Sequence, residues 1–100
     1  MEIKIQSIHF SPSEVLNAKI EKKLVRAFSK YPYIKQGDVF LKLQGNDPEK
    51  GRLMEIRIPL PHGELFAETR EESLYNALDR NIDKLKRQLE KYKERVYTNP

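Results

Sequence analysis

The sequence has no cysteine, no tryptophan, only two histidines and no long apolar run. Without cysteine there can be no disulfide framework, no thiolate zinc site and no cysteine nucleophile, so nothing marks the chain as secreted. No apolar stretch approaches the ~18 residues of a transmembrane helix, and the first ten residues lack the apolar core of a signal peptide. We therefore expect a cytoplasmic protein that makes no membrane contact.

The length and composition predict one folded domain. A chain of 100 residues buries roughly 60 to 65% of its unfolded surface, which suffices for a single core. The charged fraction is high at 34%, but both signs are present and the apolar residues are regularly spaced, unlike those of a disordered chain. We expect a single domain over residues 1–96 and a frayed tail over residues 97–100.

Apolar periodicity predicts six elements in the order β-α-β-β-β-α. The predicted strands cover residues 2–8, 38–44, 53–60 and 64–69. The first helix is predicted to run from a capping box at Ser11 and Glu14, with Pro12 in its first turn, to about Lys30, and the second from a capping box at Thr69 and Glu72 to about Val96.

Turn residues and apolar faces then predict the architecture. Turns at residues 45–51 and 61–63 favour an antiparallel meander of the last three strands, in which Pro59 is expected to kink or locally unpair its strand. Each helix has one apolar stripe and each strand one apolar face. The sequence therefore predicts an α+β fold, with two helices packed on one face of a four-stranded mixed sheet.

The formal net charge of +4 is concentrated on the two predicted helices. Residues 14–30 hold five basic and two acidic side chains, and residues 72–96 hold seven basic and five acidic ones, so their net charges are +3 and +2. The remaining residues hold seven basic and eight acidic side chains, a net charge of −1. The position of the basic residues around each helix is therefore informative.

At 100° per residue, the basic side chains of each helix share one arc. On the first helix, a first basic row spans an arc of about 100°. On the second helix, a second basic row spans an arc of about 80°, which is separate from the arc of that helix's acidic residues. The first basic row consists of Lys19, Lys22, Lys23, Arg26 and Lys30, and the second of Arg80, Lys84, Arg87, Lys91 and Arg95.

This segregation favours a polyanion-binding surface over a merely solvated face. Like charges at i,i+3 or i,i+4 destabilise a helix by roughly 0.2–0.5 kcal/mol per pair, and a surface shaped for solubility intersperses the two signs. The second basic row alone would extend for about 22 Å along its helix. We therefore expect binding to nucleic acid through phosphate contacts.

Structured RNA fits the pattern better than DNA. A major-groove reader clusters base-contacting side chains at a helix N-terminus, which is not seen here. The sequence also lacks the aromatic strand motif of RRM domains and the GxxG loop of KH domains. What remains is recognition of RNA by shape and phosphate contacts.

The second helix carries a resemblance to a known family. The strand Gly63-Glu64-Leu65-Phe66-Ala67 and the helix SLYNALDRNIDKLKRQLEKYKERV resemble the hibernation-promoting factor and ribosome-associated inhibitor family, also called sigma factor modulation proteins. The family pattern is a G-x-L-x-A strand, then D-M-Y-x-A-I-D and D-K-L-x-R-Q-L-x-K-x-K. The positions that match are Tyr75, Ala77, Asp79, Asp83, Lys84, Leu85, Arg87, Gln88, Leu89, Lys91 and Lys93. Ser73 stands where the family usually has Asp, and the match in the first helix is looser.

The resemblance implies a short-form ribosome hibernation factor with the same element order. Such a protein binds the small ribosomal subunit in the messenger and transfer RNA channel and inhibits translation in stationary phase or stress. By resemblance, Lys84, Arg87 and Lys91 are RNA contacts in the second helix, and Lys23 and Arg26 in the first. The other members of the two basic rows are RNA-binding candidates by their angular position alone. The short form lacks the domain that pairs ribosomes in long-form members, so we expect a monomer off the ribosome.

Two other classes of protein compete with this interpretation. An enzyme is disfavoured because His9 and His62 are the only histidines, and because no nucleotide-binding glycine loop or metal-ligand cluster appears, so no catalytic residue, metal or cofactor is predicted. Asp79 and Asp83 form an i,i+4 carboxylate pair, but they share the acidic face of the helix. The alternative is a general structured-RNA-binding or protein-interaction module without ribosome specificity.

An interaction module would use the apolar seam of the second helix. This seam has coiled-coil-like spacing and consists of Leu78, Ile82, Leu85, Leu89, Tyr92 and Val96. Packing against the sheet is the favoured interpretation. Beyond Leu89, however, Tyr92 and Val96 could extend past the sheet and contact ribosomal protein or a second copy.

Overall fold

A computed structural model describes residues 1–43 and 51–98 of the chain, and the side chains of residues 1–43 and 51–96. The elements follow the predicted β-α-β-β-β-α order and form a four-stranded mixed sheet with two helices, which confirms the α+β prediction. Their bounds are β1 Glu2–Ile8, α1 Glu14–Phe28, β2 Gln36–Leu43, β3 Arg52–Leu60, β4 Gly63–Glu71 and α2 Leu74–Thr98.

The strands lie in the sheet in chain order, β1-β2-β3-β4. β1 and β2 pair in parallel, so α1 is the crossover that such a connection needs. β3 is antiparallel to both of its neighbours. The turn predicted at residues 61–63 is formed by residues 61–62, because β4 already begins at Gly63. Pro59 stays in the ladder with β4, opposite Glu64, whereas the pairing of β3 with β2 ends at Arg57. The strand is thus unpaired on one side at Pro59, as its missing N–H requires.

Both helices begin later than their predicted capping boxes. The cap of α1 is Ser13, whose side chain accepts a hydrogen bond from the Leu16 N–H at 3.0 Å, so the predicted box at Ser11 and Glu14 is wrong. At α2 the Ser73 hydroxyl accepts one from the Asn76 N–H. The box at Thr69 is wrong because β4 continues to Glu71 and buries Thr69 within the sheet.

The helix ends also differ from the predictions. α1 ends at Phe28, two residues before the predicted Lys30. α2 continues through Thr98, two residues past the predicted Val96. Residues 99–100, in the predicted frayed tail, and residues 44–50, with most of the predicted turn at residues 45–51, lie outside the described residues.

The core lies between the sheet and the two helices. α1 contributes Leu16, Ile20, Leu24 and Phe28, which recur at helical spacing. In α2 the apolar seam is buried from Leu78 through Tyr92, which confirms that it packs in the core rather than forming a free coiled-coil face. The expectation that Tyr92 extends past the sheet is wrong, because its side chain is only 5% exposed and belongs to the core, whereas Val96 is 40% exposed.

Polar side chains of α2 fix the helix against the sheet. Asn81 is fully buried, donates to the Met54 carbonyl oxygen at 2.8 Å and accepts from the Thr69 hydroxyl at 2.6 Å. About two turns further on, the Gln88 amide accepts from the N–H of Phe66 and donates to its carbonyl oxygen. The Gln88 bonds satisfy backbone groups on the free edge of β4, which would otherwise be available for strand addition.

Candidate RNA-binding surface

The outer surface of the helical layer is divided by a groove between α1 and α2. This interhelical groove has a volume of about 790 Å³. Its charged lining consists of Lys23, Arg26, Lys30, Lys86 and Arg87 together with Asp79, Asp83 and Glu90. Five cations against three carboxylates leave the groove with a net charge of +2.

The acidic face of α2 therefore lies on the side of the helix next to α1. The Lys23 ammonium forms an ion pair with the Asp79 carboxylate across the groove, at 2.5 Å. Sequence alone places the acidic and basic arcs correctly around α2, but it does not say which arc faces α1. As a result, carboxylates stand between the two basic rows.

The second basic row borders β4 along most of its length. The Arg80 guanidinium pairs with the Glu71 carboxylate at 3.0 Å. Further along the helix, Lys91 and Arg95 line a shallow depression that also includes Glu64 at the start of β4. In this row only Arg87 also lines the interhelical groove.

Lys84 is the most strongly attached member of this row. Its ammonium donates to the Glu68 carbonyl oxygen at 2.7 Å and to the Thr69 hydroxyl at 2.8 Å. An ammonium has three N–H donors, so one remains for an external phosphate. Lys84 thus lies on the predicted surface but is largely used to secure α2 to the sheet.

Most of the predicted RNA-binding cations make no ion pair with another described residue. Among the ten members of the two rows, only Lys23 and Arg80 do so. The eight others in this part of the chain are Lys19, Lys22, Arg26, Lys30, Lys84, Arg87, Lys91 and Arg95. Cations that protein carboxylates do not neutralise remain available to phosphates.

An aromatic cluster lies at one end of the groove. The half-buried Tyr31 lines the groove, and its ring centroid is 6.0 Å from that of Tyr33, which in turn is 5.9 Å from that of Tyr92. Two ammonium groups approach the Tyr31 ring, that of Lys30 at 5.5 Å and that of Lys93 at 5.4 Å. The Glu90 carboxylate accepts a hydrogen bond from Lys93 and raises the pKa of its ammonium, which stays charged at neutral pH.

Sequence reasoning missed two residues of this surface. Lys86 lies about 120° around α2 from Leu74, outside the second basic row, and belongs to the surface only because α1 packs on that side. Tyr31 marked only the end of the first helix, because it precedes Pro32. Neither residue could be assigned without knowing how the two helices lie relative to each other.

Residues 1–43 and 51–98 contain neither a candidate metal site nor a helix that could span a membrane. In this part of the chain no three acidic or histidine side chains are grouped so that they could hold a metal ion. Neither α1 nor α2 combines the length and the apolar character needed to cross a bilayer.

A mixed four-stranded sheet with two helices, whose outer surface carries described cations that make no ion pair with another described residue, defines a small α+β protein with a basic helical surface. Comparison of the sequence with known families places the chain within this class. The chain belongs to the family described as Sigma 54 modulation protein / S30EA ribosomal protein, which it matches over residues 3–97. The resemblance drawn from the α2 motif is thereby confirmed.

Relatives of known name and solved structures agree with this assignment. A ribosome hibernation promoting factor of Pseudomonas putida is 30% identical over 95 residues, which cover 95% of this chain and 89% of the relative. A ribosomal subunit interface protein from Coxiella burnetii superposes with a TM-score of 0.80 at 25% identity, over 93% of this chain and 98% of that one. The N-terminal domain of Protein Y from Thermus thermophilus has a TM-score of 0.76 at 30% identity, over 92% and 99%.

Proposed function

We propose that this protein is a ribosome hibernation factor that binds the small ribosomal subunit in the messenger and transfer RNA channel. It acts in the cytoplasm during stationary phase or stress and inhibits translation by occupying that channel. The function needs no catalytic residue, cofactor or small-molecule substrate. Family membership and the name of the Pseudomonas putida relative support the hibernation role.

The observation that carries the proposal is the set of unpaired cations on the outer side of both helices. A long basic side chain can lay its methylene stem along the helix while its head reaches a phosphate of ribosomal RNA. Arg26 on α1 and Arg87 on α2 both line the interhelical groove, and Lys91 lies one turn further along α2 beside a second depression. We assign the main phosphate contacts to these three residues.

The remaining members of the two basic rows have smaller proposed roles. Lys23 is paired with Asp79 and Arg80 with Glu71, so each must leave its carboxylate or bind it and a phosphate together. Lys84 offers only one free N–H. Lys19, Lys22, Lys30 and Arg95 extend the surface at its ends, where contact depends on the shape of the RNA.

The test is binding to purified small subunits, measured by co-sedimentation over a range of salt concentrations. The double variant Arg26→Glu with Arg87→Glu should lose small-subunit binding at moderate salt and should no longer inhibit cell-free translation. Single neutral variants, Arg26→Met or Arg87→Met, should each make the slope of log affinity against log salt shallower by about 1. Both side chains are exposed and unpaired, so the fold should be retained.

The matched control reverses Lys4 and Arg70, which are exposed on the opposite face of the sheet. The double variant Lys4→Glu with Arg70→Glu changes the net charge by the same amount but leaves the helical surface intact. It should bind small subunits nearly as well as the wild type. Equal losses in the two double variants would show that only net charge matters and that the helical surface is not the binding site.

A further inference from the structure

The interhelical groove is not built as a simple phosphate channel. Of its three carboxylates, that of Asp79 pairs with Lys23 and that of Glu90 pairs with Lys93. The carboxylate of Asp83 makes no ion pair with another described residue and is exposed in the groove. An RNA phosphate placed there would be repelled by Asp83, at the centre of the surface that the cations are meant to attract.

The same groove has features that suit a nucleoside. The Tyr31 ring provides an aromatic surface at one end, and base stacking on such rings is a common basis of single-stranded RNA binding. A stacked base would displace one of the two ammonium groups, of Lys30 and Lys93, that lie over this ring. The carboxylate of Asp83 can accept hydrogen bonds from the amino group of a base or from a ribose 2′-hydroxyl. The volume of about 790 Å³ lies within the range of about 300–1,000 Å³ found for small-ligand sites.

We infer that the interhelical groove holds one unpaired nucleotide of the RNA, with its base against Tyr31 and its base edge or ribose on Asp83. The phosphates on either side of this nucleotide contact Arg26 on the α1 wall and Arg87 on the α2 wall. This inference rests on the proposed function, because it specifies which form of RNA the same surface recognises. A fully paired helix cannot bind in this way, because its bases are stacked inside the helix and none is free to lie against Tyr31.

The sign of the effect of Asp83→Ala tests this inference. The probes are an RNA hairpin with a single-nucleotide bulge, made with each of the four bases, and the same hairpin without the bulge. In both, a flexible non-nucleotide linker replaces the loop, so the bulge is the only unpaired nucleotide. Affinity is measured by fluorescence anisotropy. The wild type should prefer the bulged hairpins. Asp83→Ala should bind the paired hairpin more tightly, because a repulsive charge is gone, and the bulged hairpins more weakly, because a hydrogen-bond acceptor is gone. Equal tightening on all hairpins would overturn the inference.

Tyr31 gives a second, independent arm of the experiment. Tyr31→Leu should weaken binding to the bulged hairpins by about fivefold or more, the lower end of base–aromatic stacking effects, and leave the paired hairpin unchanged. Tyr31→Phe keeps the ring and should behave as the wild type. Because Tyr31 contacts Tyr33, urea denaturation is used to verify that Tyr31→Leu is folded at the assay temperature. Equal losses on bulged and paired hairpins would contradict stacking.

The outcomes separate this inference from the proposed function. If Asp83→Ala and Tyr31→Leu do not distinguish the hairpins while Arg26→Glu with Arg87→Glu still abolishes small-subunit binding, the nucleotide site is refuted and the proposed function stands. If the wild type does not sediment with small subunits, the proposed function fails, and the hairpin measurements still decide whether the groove binds an unpaired nucleotide.

Discussion

Lys84→Met should destabilise the protein more than it weakens RNA binding, although its position in the α2 motif suggests an RNA contact. The substitution keeps the methylene stem and removes the ammonium, and with it the hydrogen bonds of 2.7 and 2.8 Å to Glu68 and Thr69. A hydrogen bond contributes about 0.5–1.5 kcal/mol net, and solvent exposure of Lys84 favours the lower half of this range. We expect a loss of about 1–2 kcal/mol in unfolding free energy, and each kcal/mol corresponds to about 4–8 °C in Tm.

The matched variant is Arg87→Met, three positions further along α2 and without an internal ion pair. It should leave the urea midpoint and Tm nearly unchanged, while its slope of log affinity against log salt becomes shallower by about 1. Lys84→Met should show the opposite combination, a lower Tm and an almost unchanged salt slope. The reasoning is refuted if Lys84→Met keeps wild-type stability and loses as much salt dependence as Arg87→Met.

Two further predictions concern the contacts that fix the helices. Asn81→Leu should lower the unfolding free energy by about 2–4 kcal/mol in urea denaturation, because the buried Met54 carbonyl and Thr69 hydroxyl each lose a partner; a loss under 1 kcal/mol would contradict this. Ser13→Ala should lower the unfolding free energy by about 1 kcal/mol, because Ser13 caps α1. Ser11→Ala should stay within about 0.5 kcal/mol of the wild type. Equal effects of the two substitutions would argue against that cap.

The element order could be predicted because it depends on local periodicity. The alternation in β1 and the helical spacing of Leu16, Ile20 and Leu24 are visible in single segments of the chain, and the structure buries the expected faces. The element ends depended on partners elsewhere. β4 extends to Glu71 because Arg52 of β3 lies opposite that residue, and this pairing removes Thr69 from the predicted cap.

The candidate surface was predictable in composition but not in layout. The wheel of α2 separates basic, acidic and apolar arcs from sequence alone, and the structure retains that separation. The helical wheel, however, contains no information on whether α1 lies beside the acidic or the basic arc of α2. That choice is made by tertiary packing, since Asn81 and Gln88 hold the opposite side of α2 on β3 and β4. The acidic arc is therefore turned toward α1, and Lys86 enters the groove.

The family motif in α2 therefore combines two tasks on neighbouring faces of one helix, one that the structure shows, holding the helix on β4, and one that is proposed, binding RNA. Lys84 and Gln88, four residues apart, bind three backbone groups on the edge of β4, namely the N–H and carbonyl of Phe66 and the carbonyl of Glu68. Arg87 and Lys91, also four residues apart, lie on the next face and make no ion pair with a described residue. An edge strand left uncovered invites strand addition, so the first pair covers the edge of β4 while the second makes the proposed phosphate contacts. Charge reversal at Lys84 would disturb both tasks at once, and only variants that separate stability from salt dependence can assign each residue to its task.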